Sequence, residues 1–265
     1  MHRHLAVLAL LALCACATTT RAPLDLQDAE LVDLTWAFDE KTLYWPTSPP
    51  SSFELKQLAY GQTPGGYFYA SNSFCTQEHG GTHLDAPIHF AEGKRTADEI
   101  PLRQLLAPAV VIDVAAKAAA NPDYRLTAED IRAWEAQHGT IAAGTIVLLR
   151  TGWGARWPDR KRYFGDDTPG ATDNLHFPSY GEDSARLLVT DRRVAALGID
   201  TPSIDYGQSR DFIVHRIANG DNVPGLENVA NMDRLPARGA FVIALPMKIA
   251  RGSGGPLRIV AAVPR

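Results

Sequence analysis

Apolar residues along this chain gather in short runs, and polar residues fall between them at two different periods. Runs rich in Val, Ile and Leu stand at Leu31 to Thr35, Val110 to Ala115, Thr145 to Arg150, Val194 to Asp200, Phe241 to Pro246 and Leu257 to Val263. Runs of this length and β-branched content predict strands. Between them, Thr127-Ala-Glu-Asp opens a helix that runs to about His138, with Thr127 as N-cap, acidic residues in the first turn and Gly139 as the stop. A second helix is predicted from about Gly181 to Arg192, and a short third from Phe212 to Asn219. Strands alternating with helices predict a single-domain α/β fold, a mixed β-sheet with flanking helices. No repeat of a solenoid period is present. The stretch from Trp153 to Pro178 has no clear period and reads as a long ordered surface loop, either a lid or a decorative insertion.

Composition adds a boundary to this picture. With 45% hydrophobic and 21% charged residues and a net charge of −4, the chain is an ordinary globular sequence with no continuous basic face for nucleic acid. Its first residues are different: a short basic start, an apolar run from Leu5 to about Leu13, then small residues. That is a secretory signal, too short to span a bilayer. Leu13-Cys14-Ala15-Cys16 resembles the lipobox of bacterial lipoproteins, with Cys16 as the lipidated residue; the plain alternative is a cleaved signal with an incidental cysteine. Residues 1–15 are thus read as a lipoprotein-type signal, 16–30 as a tether and 31–265 as the folded part. The expectation is an exported protein, periplasmic and anchored to the outer membrane through its N-terminal lipid. Cys75 is expected to be a small buried hydrophobe, not a ligand or nucleophile.

Candidate chemistry concentrates in EHGGTHLDAPIHF, residues 78–90, which holds three of the chain's eight histidines. His79 and His83 are four apart, but Gly80-Gly81 between them argues for a turn where backbone packs closely against something. From His83 onward, His83, Asp85, Pro87 and His89 share parity and project the same way from an extended segment. A turn followed by extended chain can converge two imidazoles and a carboxylate on one point. Such a donor set suits Zn²⁺, Mn²⁺ or Fe²⁺, and three protein ligands leave a position open for water, as catalysis needs. A cation there would lower the pKa of a bound water, and His89 could stay off the metal as the proton carrier. Asp200 and Asp205 are read either as carboxylates that orient an imidazole ligand or as loop and cap hydrogen-bonders.

The run His79-x-Gly81-Thr82-His83-x-Asp85-x-Pro87-x-His89-Phe90 resembles the HxGTHxDxPxHF signature of the metal-dependent cyclase family, which includes bacterial kynurenine formamidases and isatin hydrolases. Blocks at Gly198 to Asp205, His215-Arg216, Glu227-Asn228 with Asn231, Leu245 to Ile249 and Gly252 to Pro256 are similar to the family as well, so the resemblance covers nearly everything from Asp33 onward. It implies a β/β/α fold of the swivelling type for residues 31–265. It also implies that His79, His83 and Asp85 hold a first metal, that Asp85 bridges to a second completed by His215 and Glu227, that His89 is the acid/base, and that Trp45 contacts substrate. Trp45 is followed by Pro-Thr-Ser where formamidases carry Pro-Gly-Asp, a departure from the formamidase pattern. The implied activity is amide hydrolysis with one or two Zn or Mn ions. A cyclic amide such as an isatin-like lactam leads, because Thr151-Gly-Trp153 and Glu227 to Asn231 resemble the isatin hydrolase branch and because a kynurenine-pathway enzyme is not expected to be exported. Arylformamidase activity is the alternative. A non-catalytic exported binding lipoprotein would be expected to lack a ligand or the acid/base, and all are present. Homo-oligomers are common in the family, and the implied partner is a small amide.

Overall fold

Both faces of the central strands are apolar, and each face meets a different layer. Ile146 and Leu148 join one buried cluster with Ala107, Ala109, Val111, Val242, Ile259 and Ala261. Val147 and Leu149, of opposite parity, join a second cluster with Val110, Ile112, Leu197, Ile131, Trp134 and Val214. A strand covered on both sides has a continuous apolar run, not an alternation, which is why these segments stand out in the sequence.

The computed structural model describes residues 25–49 and 52–265; the expected signal segment and Cys16 lie outside the described residues. In chain order the strands are β1 (Glu30–Asp33), β2 (Phe53–Gln62), β3 (Phe68–Thr76), β4 (His83–Asp85), β5 (Leu106–Asp113), β6 (Arg125–Leu126), β7 (Ile146–Arg150), β8 (Ser179–Tyr180), β9 (Ala196–Ile199), β10 (Gly225–Glu227), β11 (Arg238–Pro246) and β12 (Gly254–Val263). The helices are α1 (Leu102–Leu105), α2 (Ala115–Ala120), α3 (Ala128–His138), α4 (Arg160–Phe164), α5 (Glu182–Arg186) and α6 (Ile213–Gly220). Eight strands form one mixed sheet in the order β1-β12-β11-β5-β7-β9-β10-β4. β5, β7, β9 and β10 run parallel, and the remaining pairings are antiparallel. Because β4 pairs with both β10 and β12, the sheet curls until its ends meet, like a barrel. The alanines among the residues of the first cluster fit a narrow interior.

All six predicted strands are present. β5 starts earlier than its apolar run because Pro108 interrupts the signal. The helix expected over 181–192 holds as α5 to Arg186 and then widens into a π turn over Leu187–Asp191. The hairpin β2–β3 is unannounced: its two strands pair only with each other, and Leu55, Tyr60, Phe68 and Phe74 are more than half exposed. Cys75 lies on this hairpin and is exposed, so the expectation of burial fails.

Candidate functional site

Three short elements meet at one end of the sheet. Leu84 on β4 and Leu226 on β10 point into the first core cluster. Their neighbours His83, Asp85 and Glu227 therefore point to the opposite face, where α6 brings His215. In the antiparallel β4–β10 register, Glu227 lies directly opposite His83. His79 reaches the same place from the turn before β4. There Gly81 has φ +56°, and a side chain on it would collide with the Phe38 ring, while one on Gly80 would collide with Tyr44. The glycines thus give the tight, closely packed turn that the sequence implied.

The polar groups are buried and close. Asp85 Oδ1 lies 2.6 Å from His79 Nδ1 and 3.2 Å from His83 Nε2, and Asp85 Oδ2 lies 3.1 Å from His215 Nε2. Glu227 reaches His215 Nε2 with Oε1 at 3.3 Å and His83 Nε2 with Oε2 at 3.5 Å. Asp85 belongs to two groups of donor atoms that lie within 4.8 Å of one another, one with His79 and His89, the other with His83 and Glu227. His89 is delivered by a 3-10 turn over Pro87–His89, so the extended parity expected from His83 onward ends at Asp85. Its ring stacks on His79 at 3.8 Å.

The far nitrogen of each imidazole explains what the near one can do. His83 Nδ1 donates to the Gly81 carbonyl at 3.0 Å, and His215 Nδ1 donates to Asp205 Oδ2 at 2.7 Å. His79 Nε2 donates to Ser253 Oγ at 2.9 Å, because that hydroxyl gives its own proton to Glu78 Oε2. With those nitrogens protonated, neutral rings turn three lone pairs toward the oxygens of Asp85 and Glu227. That arrangement is repulsive unless positive charge sits among them. Without a cation, protons supply it. Burial opposes charging His83, yet Asp85 and Glu227 raise its pKa to about 9, and hydrogen bonds donated to Asp205, Asp85 and Glu227 hold His215 well above the usual range despite burial. Asp85 is held far below its ordinary value by His83 and His79 against the cost of burial, whereas burial and the Asp85 charge push Glu227 up. Two carboxylates and three oriented imidazoles are also the donor chemistry of a divalent transition-metal site, so the residues fit such an ion. His89 differs: burial and the neighbouring imidazoles lower its pKa to about 4, and its ring makes no hydrogen bond to any described residue.

Above this floor is a cavity of about 290 Å³, walled by Leu43, Trp45, Phe90, Phe164 and Phe212. Trp45, expected by resemblance to contact substrate, is one of these lining residues, set edge-on against Phe164 and Phe177 at 6.4 and 6.3 Å. The 153–178 segment forms a small core of its own around Trp153, Tyr163, Phe164, Leu175 and Phe177, and Phe164 carries that core to the cavity. Asp205 orients His215 and also accepts from the Val214 and His215 backbone N–H groups at the start of α6. Asp200 does not reach the site; it accepts from Thr151 and Trp153 and pins the start of the long loop. Sequence reasoning gave no role to Glu78, Ser253, Phe90 or Phe212, although Phe90 ends the signature run and Ser253 lies in the Gly252 to Pro256 block.

Residues 32–206 match the family model described as "Putative cyclase". The isatin hydrolase of Roseibium aggregatum is 39% identical over 208 residues, spanning 76% of this chain and 77% of that protein. The kynurenine formamidase of Salinibacter ruber is 31% identical over 186 residues, spanning 69% and 74%. Among solved structures, an isatin hydrolase bound to the product analogue thioisatinate matches with a TM-score of 0.81 at 34% identity, covering 90% of this chain and 94% of that one.

Proposed function

The chain belongs to the cyclase family, and from that premise we propose that it hydrolyses a cyclic amide of the isatin type. It is a metal-dependent hydrolase of carbon–nitrogen amide bonds. The observation that carries the reading is the set of three imidazoles, each tied back through one nitrogen, that converge on Asp85 and Glu227 beneath an aromatic cavity. His79, His83 and Asp85 would hold a Zn or Mn ion, and His215 and Glu227 would supply the further ligands for a second. When bound, such an ion lowers the pKa of a water toward neutrality and polarises the amide carbonyl.

The protein's own groups do the rest. His89 is neutral at pH 7, so it accepts one proton of the water and passes it to the departing amide nitrogen as the C–N bond breaks, leaving an amine and a carboxyl group that releases its own proton to solvent. Trp45, Phe164 and Phe212 offer flat apolar faces that position an aromatic lactam and keep bulk water out. The 31% identity to a kynurenine formamidase supports arylformamidase activity as a second reading. Comparing kcat/KM for isatin with that for an N-formyl aryl amide tests the choice. A higher value for isatin is expected, and a preference for the formyl amide overturns it.

Two further properties belong to the proposal. Export to the periplasm and outer-membrane anchoring through Cys16 rest on the N-terminal residues and predict that Cys16→Ala abolishes palmitate labelling. Self-association rests on β2–β3. Leu55, Tyr60, Phe68 and Phe74 share one face of that ribbon and are each more than half exposed, an apolar patch that a second copy of the chain would cover. A Tyr60→Asp/Phe68→Asp chain that keeps the native mass in light scattering would refute this.

A further inference from the structure

The segment Gly252-Ser253-Gly254 crosses behind His79, on the side away from Asp85. Its backbone is fixed on both flanks: Ala86 N–H donates to Ser253 O at 2.8 Å, and Ala97 N–H donates to Gly252 O at 2.9 Å. Ser253 then uses both of its own donors on one carboxylate. Its backbone N–H reaches Glu78 Oε2 at 3.0 Å, and its hydroxyl reaches the same oxygen at 2.5 Å. The hydroxyl oxygen is left to accept from His79 Nε2. The flanking glycines make room for the two partners. A side chain at 252 would sit 2.7 Å from Glu78 Oε1, and one at 254 would run into the Leu84 carbonyl and sit 2.7 Å from His79 Cε1. The strap is therefore shaped around a carboxylate, a hydroxyl and an imidazole in a row.

The geometry points to Ser253 and Glu78 as positioning residues that act through His79. Together they fix its ring and keep the proton on Nε2, so that Nδ1 is presented as a lone pair toward Asp85. Rings left without such a partner rotate and change tautomer, and loss of a partner of this kind weakens metal affinity by about 10- to 100-fold. His83 and His215 have their own partners in Gly81 and Asp205, so the Glu78–Ser253 pair affects one donor of the set. This rests on the proposed metal-hydrolase reading of the same site.

The test is titration of the metal-free full-length protein with Mn²⁺ by calorimetry and with Co²⁺ by its visible absorption, for wild type, Ser253→Ala, Glu78→Gln and the double variant. Unfolding midpoints of the metal-free proteins identify any variant that does not fold, and the Glu78→Gln change, which keeps the side-chain shape, stands in for Ser253→Ala if the latter is lost. Each single variant is expected to bind Mn²⁺ about 10- to 100-fold more weakly and to shift the Co²⁺ band, and the double variant to be no worse than the weaker single one, because the two act in series. Variants that bind like wild type, or losses that add in the double variant, overturn the inference alone. A wild-type chain that takes up no divalent ion overturns the functional reading and this inference with it.

Discussion

The floor of the pocket and its aromatic wall are built by different means. The floor is sheet: β4 and β10 hold His83, Asp85 and Glu227 by backbone pairing, and the rings of His79, His83 and His215 are each fixed by a hydrogen bond from the far nitrogen. The wall is loop: Phe164 arrives on a five-residue helix within the 153–178 segment, supported by aromatic packing and by the hydrogen bonds of Asp200. Chemistry that fails with a small displacement sits on the rigid part, whereas the surface that fits a substrate sits where sequence can change without breaking the sheet.

The comparison breaks hardest at Asp85, the one carboxylate that serves every imidazole ligand of the floor. Asp85→Asn is expected to remove bound metal and to lower kcat/KM by more than about a thousandfold, read by elemental analysis and initial rates. His89→Ala should separate chemistry from binding: kcat falls about 10²- to 10⁴-fold while metal content stays at the wild-type level. Metal lost along with activity would place His89 among the ligands, which its nearness to His79 and Asp85 makes a sharp test. On the wall, Trp45→Ala is expected to raise KM about tenfold with kcat nearly unchanged, since it removes one ring face from the cavity and nothing from the floor.

A third region, remote from both, sets the scale for purely structural effects. Asp130 accepts from Thr127 and Tyr124 and pairs with Lys117; though burial opposes it, these partners lower its pKa to about 2. A depressed carboxylate contributes stability above its unfolded pKa near 4 and loses it as pH falls through 2. Asp130→Asn should therefore cost about 1 kcal/mol of unfolding free energy at pH 7, with the gap to wild type closing between about pH 4 and 2, and leave kcat/KM unchanged.

The sequence readings divide along the same line. Floor residues were legible because they are local: His79, His83, Asp85 and His89 fall within one turn-and-strand segment whose order carries meaning. His215 and Glu227 were reached through resemblance, since nothing in their spacing says that β10 lies beside β4. Closure of the sheet was hidden for the same reason, as it depends on β4 pairing with β12 across most of the chain. The role of Ser253 was hidden, though its block resembled the family, because its partner Glu78 lies 175 residues away. The β2–β3 ribbon escaped notice because Gln57, Asn72 and the serines break its apolar pattern, and that same exposure misled the reading of Cys75.

The claim on which everything else depends is that a divalent ion among His79, His83, Asp85, His215 and Glu227 is required for amide hydrolysis. It is tested most directly by measuring metal content and isatin hydrolysis on one sample before chelation, after chelation and after return of Mn²⁺ or Zn²⁺. At least one ion per chain is predicted, with activity lost on its removal and restored on its return. A metal-free chain that hydrolyses isatin at the original rate would contradict it.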